Sequence, residues 1–335
     1  MKYREWHEMK KPIVVVTHKL PAVIETRMKE LFDANLNATG MQMSRDQIIS
    51  ICDGADVLVP SVTDKIDAAL IERFPGSVKL IANFGVGVNH IDCNAAAARG
   101  IIVTNTPGVL TEDTADLTIA LLISVPRRLV EGARLARTGK WTGWRPTFML
   151  GYRVNGKRLG IIGMGRIGQA VARRAQGFGI QVHYHNRNRV HQEIEGELEA
   201  TWWESLDEML EHIDLLSIHC PLTQETQQLL NSERLDCLPK HSVIINTARG
   251  GIIDEAALAE RLASGRLAGA GLDVYANEPQ IHPALLELDN VVAIPHLGSA
   301  THEGRIAMGE KVVMNIRAFA DGHTIPDRIL IGVDI

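Results

Sequence analysis

Cysteine is scarce in this chain. Cys52, Cys93, Cys220 and Cys237 are the only four in 335 residues. They lie far apart, without a CxxC pair or a metal-ligand rhythm, which argues against a disulfide scaffold or zinc module and for reduced thiols. Long hydrophobic runs are missing as well: no stretch approaches the roughly eighteen apolar residues of a membrane-spanning helix. The opening residues Met1 to Lys11 are polar and charged, without the apolar segment of a secretory leader, so a cytoplasmic location is expected. Neither sign of charge dominates. A formal net charge of −5 gives no basis for a nucleic-acid or anionic-membrane partner. Hydrophobic residues make up 45% and charged residues 22%, the balance of a globular protein, and the length suits two domains.

What is present is a rhythm of short Val/Ile-rich runs alternating with helical stretches. Ile13–Val16, Val57–Val59, Leu80–Ala82 and Ile101–Val103 read as buried strands, separated by helical segments such as Ala22–Phe32, Ala68–Phe74 and Ile91–Arg99. A second series follows at Leu159–Ile162, Gln181–His185, Leu215–His219, Val243–Asn246, Ala268–Leu272 and Val291–Ile294. Continuous apolar strands separated by helices predict an α/β protein with two parallel sheets covered on both faces. Thr111 to Thr138, acidic at its start and arginine-rich at its end, reads as a long helical connection crossing between the domains, broken near Pro126.

Gly163-Met164-Gly165-Arg166-Ile167-Gly168 follows the strand Leu159–Ile162 and opens a helical run. In that setting the motif predicts a dinucleotide site. Gly163 permits a tight turn, Gly165 lets the backbone approach a pyrophosphate, and Gly168 allows helix and strand to pack closely. The helix start then offers N–H groups to the phosphates. The end of the next strand selects the cofactor. An acidic residue there would hold the ribose hydroxyls of NAD, but this chain has Asn186, with Arg187 and Arg189 after it. Two guanidiniums suit a 2′-phosphate, so NADPH is the expected cofactor and NAD the weaker alternative.

Arg249, Glu278 and His296 each follow the carboxyl end of an expected strand, the edge where open α/β sheets bind ligands. A cation, a carboxylate and an imidazole are the groups that a carbonyl reduction uses. Each also has a plain structural reading: a helix cap, a surface charge before Pro279 and a satisfied histidine.

Here the sequence resembles the D-isomer-specific 2-hydroxyacid dehydrogenases. The matching stretches run from Asn83-Phe84-Gly85-Val86-Gly87-Val88-Asn89-His90-Ile91-Asp92 through the glycine motif, Asn246–Gly250 and Gly271–Pro279 to Pro295-His296-Leu297-Gly298-Ser299-Ala300-Thr301. The resemblance implies a Rossmann cofactor domain, 105–296, inserted into a flavodoxin-like substrate domain of 1–104 and 297–328, with the active site in the cleft between them. It implies that Arg249 binds the substrate carboxylate and polarises the carbonyl, that His296 is the general acid and that Glu278 is its partner. Val86 and Gly87 would offer backbone N–H groups to the substrate, and Asp273 would hold the nicotinamide carboxamide. Thr114, Pro221, Thr247, His296 and Gly298 would join the glycine motif and the Asn186–Arg189 turn in lining the cofactor.

Within the family, Trp141-Thr142-Gly143-Trp144-Arg145-Pro146 followed by Leu150-Gly151-Tyr152 looks most like glyoxylate and hydroxypyruvate reductases. That likeness implies a homodimer in which Trp144 reaches into the partner's substrate site. Other 2-hydroxyacid dehydrogenases on the template, acting on phosphoglycerate or 2-oxogluconate, stay open. Phosphite dehydrogenases and NAD(H)-binding co-repressors share the three polar residues and stay open too. Formate dehydrogenases lack the acid that Glu278 supplies.

Overall fold

A computed structural model describes residues 11–330; the polar N-terminal residues 1–10 and residues 331–335 lie outside the described part. The chain divides after Leu110 and after Ala300: Thr111–Ala300 forms one compact unit, and the flanking stretches together form the other.

In the discontinuous unit the strands are β1 (Ile13–Val16), β2 (Asp33–Leu36), β3 (Val57–Val59), β4 (Leu80–Ala82) and β5 (Ile102–Thr104). All pair in parallel in the order β2-β1-β3-β4-β5, the flavodoxin-like arrangement. Alternation of side chains explains the two apolar layers. Val14, Val16, Val57, Val59 and Leu80 enter one core, while Val15, Leu58 and Ile81 enter the other. Strand β2 is absent from the sequence expectation because Asp-Ala-Asn-Leu, an edge strand with alternating exposure, carries no apolar run.

The continuous unit holds β6 (Arg158–Ile162), β7 (Gln181–His185), β8 (Thr201–Trp202), β9 (Leu215–Ile218), β10 (Val243–Asn246), β11 (Gly269–Leu272) and β12 (Val291–Ala293). Their parallel order is β12-β11-β10-β9-β6-β7-β8. Chain order reverses direction across the sheet between β6 and β9, the Rossmann switch point where dinucleotides bind. Leu159, Ile161, Leu215, Val243 and Ile245 face one core, and Ile162, Leu216, Ile218, Ile244 and Leu272 the other.

The unit boundaries differ from those expected at 104/105 and 296/297. Beyond β5, Asn105 N–H donates to Asp327 O at 3.3 Å and Thr106 N–H to Gly85 O at 3.0 Å, and Val109 and Leu110 pack on the core of the first sheet. At the other junction Leu297 and Gly298 are hydrogen-bonded to Asp273 of the continuous unit. The segment expected to cross between domains also lies wholly in that unit, as the helices Thr111–Ser124 and Leu129–Arg137. They are separated at Pro126, which cannot continue a helix, and Arg128 turns the chain with φ 53°. Among the described residues no helix is long and apolar enough to cross a membrane.

Candidate functional site

The turn after β6 is shaped by what its glycines touch. A side chain at Gly163, where φ is +99°, would put its Cβ 2.5 Å from the Cys220 nitrogen, and one at Gly168 would lie 2.2 Å from Gly163 O. Both glycines are demanded by the protein's own packing. Gly165 is not, because a Cβ there would meet nothing within 4 Å. It stands at the start of the helix Arg166–Gln176, where no side chain caps the first N–H groups. A backbone cradle open at Gly165 fits a pyrophosphate. Pro221 follows Cys220 at the end of β9, the neighbouring strand across the switch point.

Beyond β7, Asn186 Oδ1 accepts the Met164 N–H at 2.8 Å, tying this turn to the glycine loop. Arg187 and Arg189 are both exposed. Arg189 pairs with Glu195 through Nε at 2.8 Å and Nη2 at 2.7 Å.

Thr114, Thr118 and Thr247 form a buried column. Thr114 Oγ1 donates to Gly298 O at 2.8 Å, Thr118 Oγ1 donates to Thr114 O at 2.8 Å, and the hydroxyls of Thr118 and Thr247 are 2.9 Å apart. Fully buried Asp273 fastens three successive N–H groups. Its backbone oxygen takes that of His296 at 2.9 Å, and its carboxylate takes those of Leu297 at 2.5 Å and Gly298 at 2.8 Å. Burial pushes the Asp273 carboxyl up, partly opposed by these N–H groups and by the His296 charge.

His296 adopts φ 52°, a left-handed backbone that a residue with a side chain seldom takes. The Asp273 bonds hold it there. Its Nδ1 lies 2.7 Å from Glu278 Oε2, and both side chains keep about 30% exposure, at 30% and 27%. Glu278 Oε1 accepts the Tyr275 N–H at 3.0 Å, and the Tyr275 hydroxyl reaches the Leu272 and Ile294 carbonyls at 3.0 and 2.9 Å. The turns after β11 and β12 are thereby locked together. Burial pushes the Glu278 carboxyl up, but His296, the Tyr275 N–H and Arg249 outweigh it and hold it below the ordinary carboxylate value.

Arg249 comes from the turn after β10. A Cβ at Gly250 would fall 1.9 Å from the Tyr275 carbonyl carbon, so glycine lets this turn press against that after β11. Asn246 braces it, accepting the Ala248 N–H and donating to Arg249 O, each at 3.0 Å. Burial lowers the pKa of the half-buried Arg249 guanidinium, and the negative charge of Glu278 opposes that fall.

In the other unit the loop at Val86 and Gly87 has its carbonyls taken up from behind. Asn83 Nδ2 donates to Gly85 O and Gly87 O at 3.0 and 3.1 Å, and Asn105 Nδ2 to Val86 O at 2.8 Å. His90 Nε2 in turn lies 3.0 Å from Asn83 Oδ1.

Trp144 is 80% exposed, on an arm that leaves the helix Leu129–Arg137 and returns where Tyr152 N–H donates to Pro126 O at 2.8 Å. Trp141, Leu150 and Tyr152 on the arm are exposed too, and the helix itself buries none of its residues.

Residues 119–298 match the family model described as "D-isomer specific 2-hydroxyacid dehydrogenase, NAD binding domain". The chain is 42% identical over 323 residues to a glyoxylate reductase of Thermococcus litoralis, covering 95% of this chain and 97% of that one. It is 44% identical to a glyoxylate reductase of Korarchaeum cryptofilum, covering 95% and 96%. The chain belongs to the D-isomer-specific 2-hydroxyacid dehydrogenases. Among solved structures, an NADPH-dependent glyoxylate/hydroxypyruvate reductase of Sinorhizobium meliloti, in complex with NADP and malonate, superimposes with a TM-score of 0.85 at 35% identity over 96% of this chain and 97% of that one.

For a dehydrogenase of this family the structure adds residues that the sequence did not single out. Thr118 links Thr114 to Thr247, Asn83 and Asn105 grip the Val86–Gly87 loop, and Tyr275 joins the two turns carrying Glu278 and His296. Each acts through a contact distant in sequence or shared with backbone, so no motif announces it.

Proposed function

We propose that this dehydrogenase reduces small 2-oxo acids, glyoxylate and hydroxypyruvate foremost, to glycolate and D-glycerate, with NADPH preferred over NADH. The observation that carries the reading is the His296–Glu278 pair at 2.7 Å beside the Arg249 turn, beyond the carboxyl ends of three adjacent strands. That its relatives include glyoxylate reductases and a glyoxylate/hydroxypyruvate reductase supports the substrate class.

The dinucleotide is assigned to Gly163–Gly168, Asn186, Arg187, Pro221, the threonine column, Asp273 and Gly298; when bound, its reduced nicotinamide supplies the hydride. Everything else is the work of the chain's own groups. Arg249 neutralises the substrate carboxylate and the negative charge growing on the carbonyl oxygen, and the N–H groups of Val86 and Gly87 serve the same carboxylate. Glu278 holds Nδ1 of His296, leaving Nε2 to deliver a proton to that oxygen. Asp273 keeps His296 in its left-handed backbone. Arg187 is the cation assigned to the 2′-phosphate. A homodimer in the cytoplasm completes the reading, with the exposed Trp144 arm as its contact.

The test is the loss of reduced-nicotinamide absorbance with glyoxylate, hydroxypyruvate or pyruvate, using each cofactor. Turnover of the first two, faster with NADPH, is expected. No oxidation with any 2-oxo acid would remove the reading, and faster use of NADH would remove its cofactor part.

A further inference from the structure

The turn proposed to face the adenosine ribose is tied down at both ends. Asn186 anchors its start to the glycine loop. At its far end Arg189 makes its bidentate pair with Glu195, and its guanidinium lies 5.3 Å from the ring centre of Trp202. The Tyr184 hydroxyl donates to Glu195 Oε1, the oxygen that also takes the Arg189 Nε–H, and accepts the Val190 N–H at 3.2 Å. Tyr184 is fully buried, and the Glu195 side chain is 9% exposed against 58% for Arg189. The Arg189 and Tyr184 bonds hold the Glu195 carboxyl at about 2, so it is ionised at any working pH. The Arg189 fork is thus oriented by a buried carboxylate that offsets its charge.

We propose that Glu195 is a specificity-determining positioning residue: it holds Arg189 as a strut of the turn and cancels its charge, limiting the preference for NADPH over NADH. This rests on the reading that residues 186–189 face the ribose. The second arginine thus supports the turn and adds no net charge for a 2′-phosphate to meet.

The test is kcat/KM for NADPH and NADH, at low and high salt, in wild type, Glu195→Gln, Tyr184→Phe and Arg189→Ala. Glu195→Gln keeps an acceptor oxygen and removes the negative charge. The NADPH/NADH ratio should rise about three- to tenfold at low salt and less at high salt, as expected for a screened charge near a phosphate. Tyr184→Phe removes a bond but no charge, so its ratio should stay within about twofold of wild type. Arg189→Ala should weaken use of both cofactors, because a strut serves both. An unchanged or lower ratio in Glu195→Gln, or an Arg189→Ala loss confined to NADPH, overturns the proposal. Should Glu195→Gln fail to fold, the Arg189→Ala comparison decides alone. Failure of the underlying NADPH reading looks different: wild type would favour NADH, or Arg187→Ala would leave the ratio untouched, while a rise on Glu195→Gln would still be measurable.

Discussion

At the scale of single residues, the proposed chemistry depends on which nitrogen of His296 carries a proton towards the substrate. Glu278 faces Nδ1 at 2.7 Å and is held ionised by His296, the Tyr275 N–H and Arg249 despite its burial. A carboxylate can only accept, so it selects the form with hydrogen on Nδ1. Glu278→Gln keeps the shape but brings an amide that can turn either its oxygen or its NH2 to the imidazole. We expect kcat for 2-oxo acid reduction to fall about tenfold or more, the lower part of the range for impaired acid–base catalysis. Cofactor affinity, read by quenching of tryptophan fluorescence, should move by less than about twofold, an energy below one hydrogen bond. A kcat near that of wild type would show that the pair is ornamental to the reaction. The residue types and their places after strands were legible in the sequence. The grip of Asp273 on His296, Leu297 and Gly298 was not, because those bonds go to backbone N–H groups that any residue offers.

At the scale of elements, strands with Val/Ile runs announced themselves and the polar ones did not. β2 and β8 both sit at sheet edges, half-exposed, and β8 is only two residues long. The helix Leu129–Arg137 and the arm after it were readable as helix and loop, but their lack of buried residues was not. That surface, with Leu129, Val130, Trp141, Trp144, Leu150 and Tyr152 exposed, is more apolar than scattered surface residues need be. If it joins two copies, sedimentation should give a dimer, and Trp144→Ala should impair substrate use while the cofactor stays bound. Isolated mixed dimers of Trp144→Ala and Arg249→Ala subunits sharpen the question. A tryptophan serving the partner's site leaves one site intact and the other doubly damaged, so about half of wild-type activity should return. Mixed dimers as inactive as the better parent would place Trp144 in its own subunit's service or in none.

At the scale of the whole molecule, stability should depend on buried neutral histidine. His183 is 8% exposed, its Nδ1 accepts the Trp203 Nε1–H at 3.1 Å, and its ring stands edge-on to His212. Burial foremost, then the nearby His212 and Arg158, lowers it from 6.5 to about 4. The unfolded chain therefore binds a proton at this position between those values while the folded chain does not. Its contribution to stability is complete above pH 6.5 and declines towards pH 4, by about 1.4 kcal/mol per pH unit. His219, which burial lowers to about 3, adds to the fall over the same interval, so His183 accounts for a part of it. Melting temperatures should fall across that interval, and His183→Gln, which keeps an acceptor for Trp203, should flatten the fall. Equal slopes in the two proteins would remove His183 as the cause.

The central claim concerns the proton that accompanies the hydride, and one comparison meets it directly. Steady-state reduction of glyoxylate at saturating NADPH is measured for wild type and His296→Ala under identical conditions. The account predicts sustained turnover by wild type and a kcat lower by about 10²- to 10⁴-fold in the variant, the contribution of a positioned general acid. A variant that turns over within a few-fold of wild type would contradict it.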